Sequence, residues 1–148
     1  MSESNPIVTV SLADGMHFQG RTEDKGDYVV EMDADQAVGG QDKGMRPLKM
    51  MLVSLGGCMI MDVISILRKK RQDVQDIKVG LRATQAEAHP HVYTQIWMDF
   101  TVEGHELDPA AVQRAIDLSW ERYCPAANML KHVVPIEIDF KIVEAAAG

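Results

Sequence analysis

Two cysteines, Cys58 and Cys124, are the residues of this 148-residue chain best suited to chemistry. A pair of thiols supports a two-step redox cycle. A thiolate attacks an oxidant and becomes a sulfenic acid, and the second thiol closes it to a disulfide. Their settings differ: Cys124 precedes Pro125 at an expected helix start, where the dipole favours a thiolate. Cys58 lies mid-helix among apolar neighbours, a setting that disfavours a thiolate, so it needs a nearby cation if it is to attack anything. The opposing reading is structural, because free cysteine is among the most often buried residue types and packs as a small hydrophobe. The pair alone leaves both readings open.

Cys58 is carried by residues 46–71, RPLKMMLVSLGGCMIMDVISILRKKR. No charged residue occurs from 50 to 61, and apolar side chains occupy every side of a helical projection, which predicts a helix buried on all faces. Pro47 suits the first helical position, and the basic run 68–71 complements the dipole at the other end. Lys49 and Asp62 interrupt the apolar run, leaving an uncharged core of about a dozen residues. That favours a core helix over a membrane span.

Around this helix the period-two runs predict strands. Residues 7–12 and 17–21 are separated by an Asp14-Gly15 hairpin signal, and 28–32 gives a third strand. Gly39, Gly40 and Gly44 mark a loop into the helix, without the spacing of a phosphate-binding motif. Ile77, Val79, Leu81 and Ala83 alternate with polar residues, as do Ile96, Met98, Phe100 and Val102, predicting an antiparallel pair. Asp108-Pro109 caps a helix whose apolar face is Val112, Ile116, Trp120 and Tyr123; Cys124-Pro125 interrupts it, and a short helix follows to about 132. Ile136, Ile138, Phe140 and Ile142 form a last strand. The order is βββ-α-ββ-α(α)-β, an α+β fold with antiparallel sheets in a single domain over residues 1–148.

Leu55-Gly56-Gly57-Cys58, the Met59-Ile60-Met61-Asp62-Val63 continuation, Ile66 to Arg71, and Arg122-Tyr123-Cys124-Pro125-Ala126 together resemble the OsmC/Ohr family, in particular its OsmC-like, YhfA-type branch. The glycine loop and Pro47 extend the resemblance over essentially the whole chain. It implies an intertwined homodimer with two long central helices packed between sheets and two equivalent sites at the subunit interface. It also implies thiol-dependent reduction of organic hydroperoxides by an external dithiol reductant, with Cys58 attacking the peroxide and Cys124 resolving. The family pattern adds an arginine from the N-terminal strands, for which Arg21 is the nearest candidate, and a glutamate in the first turn of the long helix. The chain departs at that glutamate: Pro47-Leu48-Lys49-Met50 puts a lysine or leucine there. Lys49 or Arg46 could supply the charge that activates Cys58, or both could be solvated. The departure keeps open a second function, a non-enzymatic dimer that senses redox state or binds a small apolar ligand.

Other chemistries lack support. The net charge of −7 argues against a nucleic-acid partner. His89, His91 and His105 lie in or near turns without a ligand pattern, so neither a metal nor another cofactor is expected. No Ser-His-Asp arrangement is evident, which excludes a serine-hydrolase reading. Met45, Met50, Met51, Met59 and Met61 crowd the Cys58 region, either lining a pliable apolar pocket or filling the core. Asp62, one turn after Cys58, is expected to cap or salt-bridge locally. The N-terminus has no basic region followed by an apolar run, so no leader is expected; a cytoplasmic, reducing location follows, with 46% hydrophobic and 25% charged residues typical of a soluble domain.

Overall fold

A computed structural model describes residues 5–147, so the first four residues of the N-terminal stretch considered for a leader lie outside the described residues. The chain divides into two compact units, one ending at Met51 and one beginning at Leu52. In the first unit β1 (Val8–Asp14), β2 (His17–Thr22) and β3 (Val29–Met32) form an antiparallel meander, as the hairpin signal predicts. Val8, Val10 and Leu12 recur at period two on β1 and are all exposed.

The glycine-rich loop after β3 is ordered by one side chain that sequence reading passed over. Asp33 is buried and accepts hydrogen bonds from the backbone N–H groups of Ala34 (2.7 Å), Gln41 (3.2 Å) and Lys43 (3.1 Å). A Cβ on Gly40 would sit 1.7 Å from the Ala34 carbonyl oxygen, so only glycine allows the chain to close so tightly there. Arg46 completes the loop, donating to the Asp33 and Gly44 carbonyls and pairing with Asp42.

Burial by itself would push the Asp33 carboxyl up, but the three N–H donors, aided by the charge of His17, hold it below its ordinary value of 3.8. A depressed folded-state pKa means that the stabilisation is complete above the unfolded value and is lost as pH falls through the folded one. Asp33→Ala is therefore expected to lower the thermal midpoint at neutral pH by several degrees. The gap from wild type should narrow below about pH 3.8. Melting curves of the two proteins across that range are the check; a constant gap would show that the carboxylate charge contributes nothing.

The second unit holds the core. Helix α1 (Pro47–Lys69) begins at Pro47 as expected, and β4 (Asp73–Gln85) and β5 (Tyr93–His105) pair antiparallel in the predicted register of apolar faces. Helix α2 (Pro109–Leu118), capped by Asp108, leads through a π turn (Ser119–Tyr123) to α3 (Pro125–Leu130) and β6 (Ile136–Glu144). β6 pairs parallel to β5, one parallel pair in an otherwise antiparallel arrangement, because the α2–α3 crossover returns the chain to the same end of the sheet. Leu55, Met59, Val63 and Leu67 of α1 pack with Ile96, Met98, Phe100 and Val102 of β5 and with Val112 and Ile116 of α2. A Cβ on Gly56 would meet the Leu81 side chain at 2.7 Å, so glycine lets α1 lie close against β4 beside Cys58.

The helix is not buried on every face within one chain. Its buried residues, Leu55, Gly56, Met59, Val63 and Leu67, form one stripe, while Val53 and Met61 are 56% and 71% exposed. The chain's own core covers only one side of an all-round apolar helix. By length and composition α1 could also cross a membrane, but its buried stripe is set into the core of the fold, as in a core helix.

Candidate functional site

The periodicity of α1 places Cys58 one position off the buried stripe, so it is half-buried, while Met59 beside it is wholly buried. Met59 is thus a packing residue, and Met61 points outward. Cys124 arrives from the other direction. A residue before proline is steered out of the helical region, and Cys124 adopts φ −82°, ψ 108° between the π turn and Pro125. Its N–H donates to the Ser119 carbonyl (2.9 Å), and its own carbonyl accepts from the Asn128 side chain (2.8 Å). Asn128 also donates to the Trp120 carbonyl at 3.1 Å, so a single amide ties both ends of the turn.

These elements bring the two thiols together. The Cys124 side chain is completely buried, and the Cys58 thiol lies near enough to act on it electrostatically. Both cysteines are free. Burial pushes the Cys124 thiol from 9.0 up to about 11, and the contact with Cys58 adds to the rise; the N–H groups of Ala127, 3.3 Å from the sulfur, and Ala126 pull the other way. The expectation that a helix start would favour a Cys124 thiolate is therefore overturned. α3 has only six residues, and the desolvation of a buried thiol outweighs its end dipole. Cys124 is a neutral thiol near neutral pH.

Among the described residues Asp62 neither caps a helix nor forms a salt bridge. Its Oδ2 accepts a hydrogen bond from the Ser119 hydroxyl at 2.9 Å, and Ser119 is wholly buried. Nothing in the sequence marks this link: Asp62 and Ser119 are 57 positions apart, and the π turn that aims Ser119 has no compositional signature. The basic residues considered for the site belong to the first unit. Arg21 is exposed on β2 and pairs with Asp27. Lys49 is exposed in the first turn of α1, a turn without an acidic residue. Arg46 pairs with Asp42 and lies 3.7 Å from Asp35, and these carboxylates raise its pKa. His89 and His91 lie against each other in the β4–β5 turn, with ring centroids 4.2 Å apart.

The site therefore holds a half-buried thiol and, neighbouring it, a buried and protonated one. A family profile described as OsmC-like protein matches residues 40–139. The chain is 40% identical over 136 residues to Protein YhfA of Escherichia coli strain K12, covering 92% of this chain and 97% of that one. Among solved structures, a hypothetical protein from Aquifex aeolicus is 30% identical with a TM-score of 0.80, covering 94% of this chain and 96% of that one. The organic hydroperoxide resistance protein OsmC from Legionella pneumophila shares the fold at 11% identity, with a TM-score of 0.67 and 94% and 99% of the two chains covered.

Proposed function

The chain belongs to the OsmC-like family, and from that premise we propose that it is a thiol-dependent peroxidase, reducing organic hydroperoxides to alcohols through Cys58 and Cys124. The observation that carries the reading is that the fold brings the half-buried Cys58 thiol near the buried Cys124 thiol. The hydroperoxide resistance protein with the same fold lends it a substrate class.

Cys58 is the attacking group because it is the more accessible of the pair. Its thiolate takes the terminal oxygen of the hydroperoxide; the O–O bond breaks, and the alkoxide picks up a proton and leaves as the alcohol. Cys124, protonated at neutral pH, donates its S–H to the Cys58 sulfur and so stabilises the charge needed for attack. Arg21 and Lys49 are the residues we assign to supply positive charge. In the second step the Cys124 sulfur bonds to the sulfenic sulfur, the S–O bond breaks, and the hydroxide leaves with the Cys124 proton as water. An external dithiol then returns the disulfide to two thiols and is itself oxidised, a cycle suited to a reducing cytoplasm. The part-buried aliphatic neighbours of Cys58, Leu52 and Ile60 on the same helix, suit an apolar hydroperoxide.

The working form in this reading is a homodimer. Its support is the second, uncovered apolar face of α1 at Val53 and Met61, which a second copy would bury. A non-enzymatic reading, a redox-sensing or apolar-ligand-binding dimer, draws on one observation: the first turn of α1 has no carboxylate to polarise the site. Consumption of an alkyl hydroperoxide in the presence of a dithiol separates the two. The wild type is expected to turn over repeatedly and Cys58→Ser to fall to the uncatalysed rate; equal rates would exclude the peroxidase.

A further inference from the structure

Asp62 and Ser119 play no part in the steps above, yet they join the two elements that carry the thiols. Asp62 lies one helical turn beyond Cys58 on α1. Ser119 opens the π turn, and its carbonyl accepts the N–H of Cys124 at 2.9 Å. The Ser119 hydroxyl donates to Asp62 Oδ2 at 2.9 Å. A chain of links results: Cys58, one turn of α1, Asp62, Ser119 and the Cys124 backbone, whose thiol neighbours Cys58. We propose that Asp62 and Ser119 are positioning residues, a hydrogen-bonded bracket that sets how readily Cys58 and Cys124 close to a disulfide.

The geometric demand of the bond explains why a bracket would matter. A disulfide needs its sulfurs about 2.05 Å apart and its Cβ atoms about 3.5–4.5 Å apart, with a restricted dihedral. Free thiols start outside that S–S distance, so α1 and the π turn must approach without sliding past each other. Apolar packing resists separation but resists sliding weakly, because it is non-directional. A buried hydroxyl bound to a carboxylate is directional and fixes the sliding coordinate. The π turn inserts an extra residue ahead of Cys124, and without it neither the Ser119 hydroxyl nor the Cys124 N–H would have its present direction.

The inference rests on the proposed function only in treating closure as the resolving step, and closure can be driven without a peroxide. Diamide converts two thiols to one disulfide while its N=N bond takes up two electrons and two protons. With diamide, Asp62→Ala and Ser119→Ala are each expected to close at least about tenfold more slowly than wild type, since misplacement of reacting groups by about 1 Å can cost up to about a hundredfold. Asp62→Asn keeps the acceptor and should close within about threefold of wild type. The double variant should be no slower than the slower single one, because the second change removes a bond already lost. Alkylation of Cys58 by iodoacetamide, measured with Cys124→Ser in place, should be unchanged by Asp62→Ala.

Wild-type closure rates in both alanine variants would overturn the proposal, and so would a loss of alkylation in step with closure. Should the alanine variants fail to fold, Asp62→Glu keeps charge and acceptor but displaces them by a methylene. It is expected to slow closure as well, and wild-type closure in it would also overturn the bracket. A chain that consumes no hydroperoxide but closes slowly in these variants would contradict the peroxidase reading and leave the bracket standing.

Discussion

Replacing Cys124 with serine should convert the product of hydroperoxide oxidation from a disulfide to a sulfenic acid trapped on Cys58. In the wild type the Cys124 thiol neighbours Cys58, so the sulfenic acid has a thiol nearby as soon as it forms. Dimedone, which labels sulfenic acids, should therefore label the wild type scarcely at all and Cys124→Ser close to once per chain after one equivalent of hydroperoxide. Serine is a fair probe because its hydroxyl can donate to the Cys58 sulfur from the same buried position, so attack is preserved while resolution is removed. Intact-mass spectrometry reads the adduct directly. Labelling of neither protein would mean that Cys58 does not attack. Equal labelling of both would mean that Cys124 does not resolve.

A comparably large effect is expected from Met61→Glu, which should halve the solution mass by dissociating the proposed homodimer. Met61 is 71% exposed in the single chain, so the substitution leaves the core stripe of Leu55, Met59, Val63 and Leu67 untouched. In a two-fold dimer each substitution acts twice, once per subunit. Burial of a side chain of this size contributes about 1.5–3 kcal/mol, and an unpaired carboxylate at its place adds a desolvation cost of several kcal/mol. The combined change corresponds to a loss of affinity of at least about a thousandfold at about 1.4 kcal/mol per factor of ten. Light scattering after gel filtration should give a dimer for the wild type and a folded monomer, by circular dichroism, for the variant. A wild-type monomer, or an unaltered mass for the variant, would contradict the dimer.

Much of the architecture could be read from local chemistry. Pro47 and the Asp108-Pro109 pair start helices where they should, and the period-two runs at Ile77, Ile96 and Ile136 lie on strands because each has one face toward a core. The departures have a common cause in long-range contacts. The parallel placement of β6 depends on how far α2 and α3 carry the chain, which Ile136 to Ile142 cannot encode. The glycines after β3 mark a loop that local propensity does not hold rigid, and Asp33 orders it by reaching Gln41 and Lys43, eight and ten positions ahead. The two thiols show the same division. Their existence and the Cys124-Pro125 break were plain in the sequence, whereas the acidity of Cys124 is decided by its burial and by a neighbour 66 positions away, so the local dipole argument pointed the wrong way. The tie between Asp62 and Ser119 had no local signal at all.

The central claim, that Cys58 and Cys124 are joined by an organic hydroperoxide acting as oxidant, is tested most directly by the mass and thiol count of the protein after one equivalent of an alkyl hydroperoxide. The account predicts a loss of two hydrogens, disappearance of both free thiols, a Cys58–Cys124 cross-link in the peptide map, and recovery of both thiols on adding a dithiol. An unchanged mass with both cysteines still open to alkylation after denaturation would contradict it.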